Sequence, residues 1–312
     1  MSLGLSAGRA TLPACMRVFE RGWLSSNNVL FIGAHDTALV DSGYLTHAPQ
    51  TLALVEHALG ARPLDRLLNT HLHSDHCGAN AALQARYRCR TAIPAFEADK
   101  VRAWDENALS YRATGQQCAR FGFTDTIEPG QKLVLGDLEW LALAAPGHDP
   151  HSLMFYCERE GILISADALW ENGFGVIFPE LAGQSGFSEA RAALALIDRL
   201  DVRLVIPGHG PMFCDARAAL GRANARLDYL VAEPARNAQN ALKVMLKFLL
   251  LERRQISLAD TALLFDTLPV VLAARQRYLP QSAAELAEWA AGALVKAGAA
   301  TRIEQMLVNR DR

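Results

Sequence analysis

Residues 69–80 read N-T-H-L-H-S-D-H-C-G-A-N, so His71, His73, Asp75 and His76 fall within six consecutive positions. This crowding constrains the fold more than any other feature of the chain. Neutral imidazoles and carboxylates are the usual nitrogen and oxygen ligands of zinc and related ions. A segment offering four of them must sit where other parts of the chain can complete the set. The preceding "LDRLLNTH" (64–71) reads as a buried strand ending at the first histidines, and "GANAALQARY" (78–87) as the helix that follows. If the strand geometry persists, His71 and His73 point the same way, while Asp75 and His76 lie past the turn and face the other side.

Three later segments repeat the design of a strand running into a turn that carries a ligand-type side chain. They are "APGHDPHS" with His148, "LISADALW" with Asp167 and "VIPGHGP" with His209, and Gly147, Gly208 and Gly210 allow tight turns around two of these. Between them the chain alternates short β-rich runs with helical patterns. "NVLFIG" (28–33) and "TALVDSG" (37–43) form a hairpin, residues 98–121 are mostly helical, and 127–165 returns to strands. After Asp215 the texture becomes helical and Pro234 interrupts a long helix. Ser257 with Asp260, and Ser282 with Glu285, fit side-chain caps followed by an acid. Three helices and an "ATRIEQMLVN" wing are expected there. The reading is an α+β fold with a domain over 1–234 and a small helical, winged-helix-like one over 235–312.

The net charge of −2 gives no footprint for nucleic acid or an anionic membrane, and residues 243–312 hold ten Lys/Arg against seven Asp/Glu. Six cysteines without a C-x-x-C pair favour free thiols in a reducing compartment. Residues 1–19 lack the apolar run of a secretion signal, and 241–254 is too short and charged to span a bilayer. A cytoplasmic protein is expected.

With H-x-H-x-D-H, the strand-end His148, Asp167 and His209, and "LVDSG" carrying Asp41, residues 15–215 resemble the metallo-β-lactamase superfamily of hydrolases. The resemblance implies a four-layer αββα sandwich with two divalent metal ions, zinc first and iron or manganese as alternatives. His71, His73 and His148 would hold one ion. Asp75, His76 and His209 would hold the other, and Asp167 would bridge them. Asp75 and Asp167 would be the catalytic carboxylates, with Asp41 orienting a ligand from behind. His73 departs from the diiron oxygen-reducing branch, which has Glu there, and Asp167 from the β-lactamases that use Cys at the second site. The full set resembles the glyoxalase II-like (hydroxyacylglutathione hydrolase) branch and the lactonases.

That branch implies water, activated at the metals, attacking a thioester or ester carbonyl. Alternatives are a lactonase, a phosphodiesterase or ribonuclease, a mononuclear-iron sulfur dioxygenase, and a regulator that only binds a ligand. The expected partner is a small (thio)ester substrate, without nucleic acid or membrane, and a homodimer is compatible. His151, Trp170, Phe174 and Phe178 are candidates to line the substrate pocket, each weighed against a place in the loop or core. No basic and tyrosine set for glutathione is recognisable.

Overall fold

The computed structural model describes residues 11–310. Residues 1–10, part of the stretch read for a secretion signal, lie outside them. Six strands form the first sheet, in chain order: β1 (Met16–Phe19), β2 (Asn28–Ile32), β3 (Thr37–Val40), β4 (Arg66–Leu68), β5 (Arg90–Pro94) and β6 (Asp125–Ile127). The second sheet holds β7 (Lys132–Leu135), β8 (Leu138–Ala144), β9 (Leu153–Cys157), β10 (Ile162–Ala166) and β11 (Leu204–Pro207). Strands β3 to β6 run parallel, as do β10 and β11, so their carboxyl ends gather along one edge.

The sheets pack through alternate side chains. Phe31, Val40 and Leu68 of the first meet Trp140, Phe155, Ile164 and Ile206 of the second in one apolar cluster. Their outer faces are also apolar and need cover. Helices α1 (Ala48–Leu59), α2 (Ser74–Cys77), α3 (Asn80–Tyr87), α4 (Ala98–Ala103) and α5 (Tyr111–Thr114) belong to the first half, with Val55 and Leu83 packing on Leu30, Leu39 and Leu67. After α6 (Phe178–Leu181), helices α7 (Phe187–Asp198) and α8 (Ala216–Ala232) cover the second sheet through Leu194, Ile197 and Leu220. The four layers expected from the sequence are present.

The 98–121 stretch is less helical than expected. Trp104 and Ser110 adopt left-handed backbone, and the Asp105 carboxylate accepts from the amides of Asn107 and Ala108, breaking it into α4, turns and α5. Strand β4 is also shorter than expected and ends before the histidines.

Beyond Pro234 lie α9 (Ala235–Arg253), α10 (Leu258–Thr267), α11 (Pro269–Tyr278) and α12 (Ala283–Lys296). They share a sheet of β12 (Gln255–Ser257), β13 (Ala300–Ile303) and β14 (Met306–Asn309), so the region has four helices where three were expected. The Ser257 cap and the reciprocal Ser282–Glu285 capping box form. Helix α9 is buried on two sides: Leu242 and Leu246 enter the helical core, while Phe248 meets Leu24 and Tyr44 of the sandwich. Among the described residues no helix is long and apolar enough to cross a membrane.

Candidate metal centre

Every ligand-type side chain singled out in the sequence comes to the strand-end edge. Asn27 donates its amide to the Gly208 carbonyl and Leu153 donates to Thr70, tying the loops of the two sheets together. Asp41 follows β3 with φ 59°, and Ala166 precedes Asp167 with φ 47°, where β10 slips register against β11. Such bulges re-aim a side chain. Gly208 lets Asp167 fit: a Cβ there would lie 2.1 Å from its Oδ1. Gly175 does the same for His148, whose Nδ1 would be 2.5 Å from a Cβ.

His71, His73 and His148 form one triad. His73 Nδ1 lies 3.1 Å from His71 Nε2 and 2.7 Å from His148 Nε2. His71 and His73 meet although β4 has ended, so extended but unpaired backbone, not a sheet, aligns them. His148 donates from Nδ1 to the Val176 carbonyl at 2.6 Å, which leaves its Nε2 lone pair facing the triad. Burial, reinforced by the neighbouring imidazoles, lowers the basicity of His71, and burial lowers that of His73. Burial and then His73 bring His148 down to about 4.

The second triad mixes charges. His209 Nε2 is 3.1 Å from Asp75 Oδ2, and His76 lies beside them with its ligand nitrogen in the same group, all within 4.8 Å. His76 Nδ1 is held at 2.8 Å by Asp41, whose carboxylate also accepts the amide and hydroxyl of Thr70. Burial alone would lower His76, but the Asp41 and Asp167 carboxylates outweigh it and raise it well above its ordinary value. Burial would raise Asp75 and Asp167; the surrounding histidines outweigh it and keep both below the usual carboxylate range.

Asp167 stands between the triads. Its Oδ1 is 3.5 Å from His76 Nε2, and its Oδ2 is 3.3 Å from His148 Nε2 and 4.0 Å from His209 Nε2. His71, His76 and Asp167 also converge as a group. The residues fit divalent ions by a direct test. His76 Nε2 is buried without a hydrogen-bond partner, an expensive condition that a cation at that point relieves.

The pocket candidates separate. Trp170 donates from Nε1 to Asp167 Oδ1 at 3.2 Å, and Phe178 sets its ring against His73 and His148 at 5.5 and 5.6 Å. Phe174 does not line the site: it is 3% exposed in the core under α8, beneath the Arg226 guanidinium. His151 is committed to a loop partner, the buried Glu97 carboxylate, and stacks on Phe96. Cys77 turns away, its thiol against the Leu72 and His73 carbonyls and Tyr111.

Sequence reasoning missed Trp23, which stacks on His209 at 5.4 Å, and Asn27, whose side-chain amide donates to the Pro207 and Gly210 carbonyls on either side of that histidine. The available signal was "SSNN" (25–28), a polar run abutting a strand, all of it buried.

The fold agrees with comparison to known proteins. Residues 21–209 match the family described as "Metallo-beta-lactamase superfamily", and the chain belongs to it. A hydroxyacylglutathione hydrolase of Chelativorans sp. is 31% identical over 46% of this chain and 46% of its own length. One of Brucella anthropi is 26% identical over 62% of this chain and 71% of its own. The chain thus spans about half the length of several curated relatives it matches. A metallo-beta-lactamase family protein from Thermus thermophilus shares the fold with TM-score 0.58 at 18% identity, over 96% of this chain and all of that one.

Proposed function

We propose that this chain is a metal-dependent hydrolase of thioesters or esters, with His71, His73 and His148 holding one divalent ion, Asp75, His76 and His209 a second, and Asp167 both. The observation that carries the reading is Asp167, ionised and within reach of histidines from both triads. When bound, the ions, zinc first, would supply Lewis acidity and lower the pKa of water from about 15.7 to roughly 7. The protein's own residues do the rest. Asp75 and Asp167 accept hydrogen bonds from the attacking water and so orient it, and Asp41 keeps the His76 ring turned inward. Trp170 and Phe178 give the site an apolar border, which suits an acyl group and excludes bulk water.

The relatives named hydroxyacylglutathione hydrolase support thioester chemistry, but glutathione itself has no recognisable basic and tyrosine set here. A small (thio)ester in the cytoplasm is therefore the proposed substrate. Residues 235–312 are proposed as a packing unit that walls the site rather than a nucleic-acid binder, since few of their charges could neutralise phosphate.

The test is a steady-state panel of S-lactoylglutathione, other acyl thioesters, lactones and a phosphodiester, on protein whose metal content is measured. Thioester or ester turnover lost on chelation and restored by zinc supports the reading. Preference for the phosphodiester, with salt-sensitive RNA binding, would replace it with a nuclease. Oxygen consumption by protein carrying one iron would replace it with a dioxygenase.

A further inference from the structure

A metal-ligating histidine ordinarily donates its second ring N–H to a carboxylate or carbonyl, which fixes the ring's direction. His76 uses Asp41, His148 uses the Val176 carbonyl, and His71 has the Thr70 hydroxyl at 3.2 Å from Nδ1. His73 is half-buried and turns its outer Nε2 toward the Asp149 carboxylate at 3.8 Å. His209 breaks the pattern. Its Nδ1 is buried and has no hydrogen-bond partner. What holds the ring is aromatic. Trp23 lies parallel to it, 5° between planes, and Trp170 stands edge-on at 74° with centroids 5.4 Å away. The two indoles also meet each other edge to face at 5.4 Å, so they form a corner into which the imidazole fits.

That corner is built, not incidental. Trp23 lies in a turn closed by the Ser25 amide on the Gly22 carbonyl, and Asn27 clasps the backbone on both sides of His209. Trp170 is fixed by its amide on the Gly173 carbonyl and by its indole N–H on Asp167. Its ring therefore touches two groups of the second triad's surroundings at once.

We propose that Trp23 and Trp170 are positioning residues that replace the missing hydrogen-bond acceptor of His209, so that occupancy of the second ion position depends on them while the first does not. The inference rests on the two-ion reading given above. Aromatic contact restrains a ring's tilt but sets no tautomer, so His209 is the ligand whose direction is most sensitive to its neighbours.

The experiment is zinc titration of metal-depleted full-length protein against a chromophoric chelator, with elemental analysis and Co(II) absorption reporting each equivalent. Trp23→Ala removes the stacked face, Trp23→Phe restores a ring, and Trp170→Phe removes only the indole N–H and bulk. Trp23 is 56% exposed, so its loss leaves no core cavity, and thermal melts check the fold. Expected is a second equivalent weakened about tenfold or more in Trp23→Ala, the low end for losing a ligand's support. The first equivalent should stay within about threefold of wild type, and Trp23→Phe should recover most of the loss. Trp170→Phe should weaken the second equivalent and shift its Co(II) spectrum. Unchanged second-equivalent affinity in Trp23→Ala, or equal weakening of both equivalents, overturns the inference while leaving the two-ion reading standing. Wild-type protein that takes up only one equivalent overturns both.

Discussion

The two triads are built from similar side chains and held in opposite ways. His71, His73 and His148 are three imidazoles that burial makes poor bases, so each is neutral at pH 7 and keeps one ring nitrogen with a free lone pair. Asp75, His76 and His209 carry charge of both signs, and His76 keeps its proton because Asp41 and Asp167 face it. The first triad is ready for a cation on arrival, whereas the second must give up a proton to receive one. Burial alone cannot distinguish them, since both are enclosed. The difference lies in where the carboxylates sit.

The largest effect should come from removing what joins the triads. Asp167→Ala is expected to lower turnover on the order of a thousandfold, the rate equivalent of about 4 kcal/mol, with a folded protein. Turnover and metal content measured together check this; near-normal activity in a metal-loaded variant would refute the bridging role. Asp41→Asn should weaken the second equivalent by about 10–100-fold and the first much less, because Asp41 holds the His76 ring directly and reaches His71 only through the Thr70 hydroxyl. Chelator competition reads the two equivalents separately, and an equal loss in both would erase the contrast.

The pH dependence sharpens the same contrast. A group raised above its ordinary value is protonated at neutral pH, so binding at His76 must release that proton and grows stronger as pH rises. The first triad, with His148 at about 4, should show a flat affinity at neutral pH. Calorimetry in buffers of different ionisation enthalpy counts the protons; none released with the second equivalent would contradict the assignment. The smallest effect belongs to Phe178→Ala. It should weaken the first equivalent only a few-fold, the scale of the ~0.5–1 kcal/mol of an aromatic edge contact, and leave the second unchanged in the same chelator titration.

Most of the candidate ligand set is legible in the sequence, for a physical reason. Metal-ligand chemistry needs few residue types, and strand ends in parallel sheets are where turns present them, so H-x-H-x-D-H and the later His148, Asp167 and His209 stand out. What escapes are the supports. Trp23 looks like a stray aromatic because its partner His209 is far along the chain, and nothing local marks a stacked pair. "SSNN" resembles a surface loop, yet its buried amides bind backbone from the second sheet. Phe174 and Phe178, four residues apart, look equivalent as pocket walls. The turn into α6 sends one beneath α8 and the other to the histidines. Strand β4 ends early because the residues after it trade ladder pairing for contacts with Asp41, a carboxylate not adjacent in sequence.

Phe178 belongs to two neighbourhoods at once, since the ring that borders His73 and His148 also packs on the core shared by α9 to α12. The α6 segment is further fixed by Tyr278, whose hydroxyl donates to the Glu180 carbonyl, and by Asn237, which donates to Ile177. Anything that binds at the site and needs Phe178 in place therefore draws on the folding free energy of the C-terminal helices. By linkage, it also returns stability to them. Amide exchange in helices remote from the histidines thus becomes a gauge of ligand occupancy.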